Sequence, residues 1–265
     1  MPELPEVKTL SQHIIKHFKD QSLKKINIVK GRYQKHGPPE YFNEFNKEMP
    51  LLLVDMIQKG KVMVFCFEKD WYMISRLGLT GWWYIDEDKP SWIKSDPNLV
   101  FEFKNKTLYY VDPLSYGTVT FYNSKEAVNK ELSKLAPDYL SITLKELQER
   151  LQKKPILLKK TLEEVMVDQQ SLMSGIGNYL KAEILYDVKL SPFRTLNTLT
   201  ENDWKNILHS AKQITKKIQK NIGNDQKYVE SMKIYGKDTD PLGNKVLHHK
   251  TKNGRTTHWV KEIQM

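Results

Sequence analysis

The sequence begins Met1-Pro2-Glu3-Leu4-Pro5-Glu6, and the residues there that could do chemistry are Pro2, Glu3 and Glu6. A small residue after the initiator favours removal of Met1, which would leave Pro2 with a free secondary amine. An α-amino group titrates near pKa 8, so roughly a tenth of it is unprotonated at neutral pH, far more than of a lysine. Such an amine is a nucleophile. Its attack on an aldehyde or a sugar C1′ gives an iminium, a fixed cationic electron sink that acidifies the neighbouring C–H bond and promotes elimination. Glu3 is close enough to serve as general acid or base, and Glu6 lies one helical turn further along. The positive end of the following helix favours the neutral amine and the two carboxylates favour the protonated one, a balance the sequence leaves open. Acidic residues also suit an ordinary helix start, so that reading stands beside the catalytic one.

The elements that must position these groups follow from periodicity. Val7, Leu10, Ile14 and Phe18 recur at spacings of three and four and draw one face of a leading helix. Between residues 22 and 122 the pattern changes to short β-rich runs at 23–30, 51–58, 61–67, 71–77, 82–85, 99–104, 107–111 and 117–122, punctuated by Gly, Pro, Asp and Asn. They predict an antiparallel β-sandwich, with the wholly apolar run 62–67 in mid-core. After Pro137 helices are expected at 144–152, 156–164 behind Pro155, 178–186, and 201–221 behind Thr200 as N-cap. Past Gly223 the helical pattern stops, and turns at 240–244 and at Asn253-Gly254 predict a C-terminal hairpin. The fold class is α+β, with domains expected at 1–130, 131–230 and 231–265.

The 265 residues carry a formal net charge of +10, and residues 210–265 hold 11 Lys and one Arg against five acids, a net of +7. That concentration suits a polyanion, nucleic acid first, and the residues would form part of a phosphate-facing surface. A solvated lysine-rich tail is the alternative on charge alone. The single cysteine, Cys66, excludes an internal disulfide and a multi-cysteine metal site. No membrane-spanning run is present, and the acidic, proline-rich start is unlike a secretory signal. An intracellular, DNA-associated monomer, in cytoplasm, nucleus or a viral replication site, is the expectation.

Read together, Met1-Pro2-Glu3-Leu4-Pro5-Glu6-Val7 and Gly175-Ile176-Gly177-Asn178, followed by Tyr179 and Glu183-Ile184-Leu185, resemble the formamidopyrimidine-DNA glycosylase/endonuclease VIII family over essentially the whole chain. The resemblance implies a bifunctional glycosylase and abasic-site lyase that removes oxidised bases from damaged DNA, with no cofactor. It makes Pro2 the nucleophile on C1′, Glu3 the acid/base and Glu6 a supporting group. Lys61, in Lys59-Gly60-Lys61, matches a lysine that contacts phosphate beside the lesion. Gly177 and Asn178, with Asp168 in register, match the centre of a helix-two-turn-helix module whose helix-start amides hold a phosphate oxygen. Arg255, in Gly254-Arg255-Thr256-Thr257, matches the arginine at the tip of the finger that follows Ile234-Tyr235-Gly236-Lys237; a planar guanidinium suits bidentate phosphate.

Two departures from the family pattern stand out. Leu242, Lys245, Val260 and Ile263 fall roughly where most bacterial members have four zinc-binding cysteines, so the finger is expected to be zincless and held by packing of Val246, Leu247, Trp259 and Val260. His248, His249 and His258 lack ligand spacing, and no metal is expected there. Leu79 falls where the family often has an intercalating methionine and Leu114 where an arginine pairs with the orphaned base, with Tyr116 as aromatic wedge. Weak opposite-base discrimination, good activity on single-stranded or bubble DNA, and a preference for oxidised pyrimidines or hydantoins follow from that loss. A non-catalytic damaged-DNA-binding protein is the competing reading. A proline tautomerase also uses the Pro2 amine but leaves the helical, basic half unexplained.

Overall fold

The computed structural model describes residues 2–222, 231–251 and 254–265. Met1, Gly223 and Asn253 of the expected hairpin turn lie outside the described residues. The chain divides into two compact units, Met1–Lys134 and Leu135–Met265.

In the first unit, Val7, Leu10, Ile14 and Phe18 form the buried stripe of α1 (Leu4–Phe18). Each contributes roughly 2 kcal/mol by leaving water, which fixes the helix that begins just after Pro2. Then come β1 (Ser22–Ile28), two short helices α2 (Arg32–His36) and α3 (Phe42–Glu48), and the strands β2 (Leu51–Lys59), β3 (Val62–Phe67), β4 (Tyr72–Arg76), β5 (Trp82–Ile85), β6 (Leu99–Phe103), β7 (Thr107–Val111) and β8 (Thr118–Tyr122). All eight expected strands are present. They pair antiparallel in the order β5-β7-β6-β1-β2-β3-β4-β8. Only Ser22 and Leu23 of β1 pair with β2, so the sheet turns there and its two four-stranded halves form the layers of a sandwich. Trp83 of one layer packs on Phe65 of the other, with ring centroids 5.2 Å apart. Every residue of β3 is buried, as its apolar run requires, and Cys66 among them has its thiol pushed up to about 11 by burial.

The short α2 and α3 occupy a stretch too brief for any period to show. The unit closes on α4 (Lys125–Ser133), a helix outside those expected from periodicity; Ser124 caps it, accepting from Ala127 N–H at 3.3 Å, and Val128 and Leu132 are its buried pair.

The second unit holds α5 (Leu144–Lys153), α6 (Leu162–Val165), α7 (Asn178–Asp187) and α8 (Glu201–Asn221), then the hairpin β9 (Leu247–Lys250) and β10 (Thr256–Trp259). The expected helix over 156–164 is corrected: residues Pro155–Lys159 form a 3-10 turn and α6 starts afresh behind Thr161. Thr161 bridges to Thr195, and its own amide donates to Glu164 Oε2 at 2.9 Å in a capping box, so the backbone is extended where a continuous helix would run. Thr200 caps α8 as expected, accepting from Asp203 N–H at 3.2 Å.

Candidate functional site

In the first unit, Glu3 is the N-cap of α1, and its backbone N–H donates to Glu6 Oε2 at 2.8 Å in a capping box. Pro2 is buried, and Glu3 and Glu6 are both 0% exposed. Acidic residues that merely complement a helix dipole do so from the surface. Two carboxyl groups withdrawn completely from water beside a potential amine are costly to bury and are a concentration of proton-transfer capacity. Lys61 lies in the turn between β2 and β3 and is half-buried, while Lys59 Nζ donates to the Leu132 carbonyl at 2.8 Å.

The three apolar residues expected to fill the space left by an extruded base sit on two loops of this unit, after β4 and after β7. Leu79, Leu114 and Tyr116 are 44%, 56% and 62% exposed. The two loops are packed against one another. Gly78 has φ +62°, and a Cβ there would lie 2.7 Å from the Gly117 nitrogen, so only glycine permits this approach. Asp112, itself buried, ties the loops together: one carboxylate oxygen accepts from the Thr80 hydroxyl and the other from Gly117 N–H at 2.6 Å. Thr80 Oγ1 in turn accepts from Leu114 N–H at 3.2 Å. Sequence reasoning named the exposed residues and missed this buried hub; the only signal was the tight Asp112-Pro113-Leu114-Ser115 turn, which gives no hint of its long-range partners.

In the second unit, Gly175 has φ +100° and Gly177 is the N-cap of α7, so the first amides of that helix open from a glycine turn. Gln169 stitches the turn, accepting from Gly175 N–H at 2.8 Å and donating to the Ile176 carbonyl at 2.8 Å. Asn178 is half-buried, and its Oδ1 has no hydrogen-bond partner among the described residues. Arg255 is exposed at the end of the hairpin, where Gly254 has φ +76° and Thr251 N–H donates to the Arg255 carbonyl at 2.8 Å. Arg255 lines a cleft of about 660 Å³ together with Lys160, Lys181 and Lys250 and with the acids Glu163, Glu164 and Asp168, so the cleft carries both signs of charge.

The hairpin does not rest on packing alone, which corrects the expectation. Val246 and Val260 are buried against Ala182 and Ile234, as packing requires. Three buried polar side chains do the rest. Glu183 of α7 accepts from the backbone N–H groups of Lys233, Ile234 and Tyr235 at 2.8–2.9 Å, fixing the lead-in. Asp240 accepts from Leu242 N–H, Asn244 N–H, the Asn244 amide and the Tyr186 hydroxyl at 2.8–3.0 Å, which together hold its carboxyl below the usual range despite burial. Gln264 accepts from Val260 N–H at 2.7 Å and donates to the Leu190 carbonyl at 3.0 Å. Asp240 and Gln264 stand close in sequence to the positions where four cysteines were missed, and their hydrogen bonds close the two ends of the finger. Lys181 of α7, fully buried, donates to Thr257 Oγ1 at 2.7 Å and so links the helix of Asn178 to the strand that follows Arg255. Burial, followed by the charges of His248 and Lys181, pushes His258 down to about 4.

Comparison with known proteins gives a consistent result. Residues 1–119 match the formamidopyrimidine-DNA glycosylase N-terminal domain, and residues 135–231 match the formamidopyrimidine-DNA glycosylase H2TH domain. The formamidopyrimidine-DNA glycosylase of Mycoplasma mobile is 32% identical over 81% of this chain and 76% of its own length. That of Mycoplasmopsis pulmonis is 30% identical over 82% and 76%. Among solved structures, Lactococcus lactis formamido-pyrimidine DNA glycosylase bound non-covalently to DNA containing an AP site has the same fold, with a TM-score of 0.81 and 24% identity over the whole of both chains.

Proposed function

The chain belongs to the formamidopyrimidine-DNA glycosylase family, so it is a DNA glycosylase of base excision repair with abasic-site lyase activity, and we propose that it works through a Schiff base on the Pro2 nitrogen. The complete burial of Glu3 and Glu6 beside Pro2 carries this reading. Once Met1 is removed, the Pro2 lone pair forms a bond to C1′ of the extruded nucleotide as the C1′–base bond breaks and the base leaves with the electron pair. The proton on the Pro2 nitrogen passes to Glu3, which gives it to O4′; the C1′–O4′ bond breaks, the sugar ring opens, and the nitrogen becomes an iminium. Loss of a C2′ proton then expels the 3′-phosphate, and a second elimination expels the 5′-phosphate. Water hydrolyses the remaining conjugate and regenerates the amine.

Lys61, the amides around Gly177 and Asn178, and Arg255 hold the backbone phosphates, positioning the DNA without reading its sequence. Leu79, Leu114 and Tyr116 fill the vacated stack. Their exposed apolar surface supports that role, and with leucine at position 114 no side chain there hydrogen-bonds the opposite base. Oxidised pyrimidines and hydantoins, in single-stranded or bubble DNA as well as duplex, are the favoured substrates.

Borohydride reduction on DNA containing an abasic site, with mass measurement of the protein's N-terminus, tests the mechanism. A covalent adduct that disappears in Pro2→Thr is expected. A protein shown to start at Pro2 that binds the DNA and gives no adduct would instead be a non-catalytic damage binder. Turnover of 8-oxoguanine opposite cytosine comparable to that of hydantoins, with little activity on single strands, would overturn the substrate assignment.

A further inference from the structure

One cluster of metal-ligating side chains in the first unit takes no part in this chemistry. His13 and His17 are four residues apart on α1 and project from the same face of the helix, with ring centroids 4.7 Å apart. His13 Nε2 lies 3.0 Å from Asp88 Oδ2, in the 3-10 turn Asp86–Asp88 after β5. One ligand atom from each of the three residues falls within a common span of 4.8 Å.

We propose that His13, His17 and Asp88 bind a divalent ion of the zinc class and that the ion clips α1 to the turn after β5. Two imidazoles at i and i+4 on a helix with one carboxylate are a donor set suited to Zn²⁺, Co²⁺ or Ni²⁺, and three protein ligands leave a position for water. Ligand atoms on a tetrahedral zinc lie roughly 3.3 Å apart for bonds of about 2.05 Å, and the 3.0 Å between His13 Nε2 and Asp88 Oδ2 is already close to that. Asp86 and Glu87 precede Asp88 in the same turn and add negative charge beside the site. The opposing groups are Lys16 and Lys106, and Lys106 Nζ is 3.4 Å from His17 Nδ1; it also lies 3.1 Å from Glu87 Oε2 and keeps that partner when an ion displaces it.

The role assigned is structural. His13 stands nine residues into a helix that rises about 1.5 Å per residue, so the ion sits roughly 14 Å from the turn that carries Glu3 and Glu6. Clipping this end of α1 holds the orientation of the other.

The full-length chain, stripped with chelator and dialysed, is titrated with Co²⁺ by visible absorption and with Zn²⁺ by calorimetry, without DNA. A single saturable equivalent is expected, weakened about tenfold or more in His17→Ala and in Asp88→Asn and unchanged in His249→Ala. Zn²⁺ at a hundredfold excess over its Kd should raise the parent's Tm by roughly 5–10 °C and leave that of His17→Ala unmoved. Far-UV circular dichroism of the variants establishes that they are folded. No saturable uptake by the parent, or uptake that survives both His17→Ala and Asp88→Asn, overturns the proposal.

Discussion

Replacing Asp112 by Asn separates the part of the site that handles duplex DNA from the part that does chemistry. The buried carboxylate accepts from Gly117 N–H at 2.6 Å and from the Thr80 hydroxyl, and Thr80 Oγ1 accepts from Leu114 N–H at 3.2 Å. Asparagine keeps one acceptor and presents an NH₂ group to the other donor. One charge-assisted bond is lost and one buried donor is left unsatisfied, a cost of about 2–4 kcal/mol. The cost is relieved by letting the loops of Leu79 and of Leu114 and Tyr116 move apart. Extruding a base from a duplex costs a few kcal/mol, which the wedge residues help offset, whereas a single strand has little stacking to break. If misplaced loops forfeit about 1–1.4 kcal/mol of that compensation, duplex kcat/KM falls five- to tenfold. Activity on a single-stranded substrate changes less than twofold, because Pro2 and Glu3 are untouched. The assay is single-turnover excision of one hydantoin lesion in matched single- and double-stranded oligonucleotides. Equal losses on both substrates, or no loss on either, would refute the assignment of Asp112 as the hub of the wedge.

Three further outcomes follow from the geometry. Glu183→Ala leaves three backbone N–H groups, that of Ile234 buried and those of Lys233 and Tyr235 part-buried, without their acceptor and should cost about 2–4 kcal/mol in urea unfolding, with Glu183→Gln intermediate; a loss under about 1 kcal/mol would contradict the role of this carboxylate in docking the finger. His258, ordinarily near 6.5 but pushed to about 4 in the fold, contributes stability that is fully present above pH 6.5 and lost as pH falls towards 4. Allowing for its partial exposure this is about 2 kcal/mol, and chemical denaturation at a series of pH values should show that slope in the parent and a flatter one in His258→Gln. Arg255→Ala should weaken DNA binding about equally for all sequences and reduce the slope of log K against log salt by about 0.9 on duplex; an unchanged slope would place Arg255 away from phosphate.

Much of the fold was legible because local pattern and tertiary environment agreed. The stripe of Val7, Leu10, Ile14 and Phe18 gave α1, the β-rich run 99–104 gave β6, and Thr200 as N-cap gave the start of α8. The helix expected over 156–164 failed because Thr161 is drawn into a bridge with Thr195, a partner 34 residues away that no local signal announces. The catalytic candidates were legible for a different reason. An N-terminal proline and the residues following it are fixed by the covalent chain, so their proximity needs no fold.

By itself the sequence named the candidate reactive groups and their order: Pro2 beside Glu3, the glycine turn before Asn178, the lone Cys66 that rules out a cysteine-held finger. Tertiary structure decided which of those groups leave water and what holds them. Glu3 and Glu6 are indistinguishable in sequence from a surface helix start, and only their burial marks them as more. The finger's replacement for zinc was hidden because Glu183, Asp240 and Gln264 read as ordinary polar residues. A buried polar group is costly unless its hydrogen bonds are satisfied, and those partners come from segments up to 74 residues away.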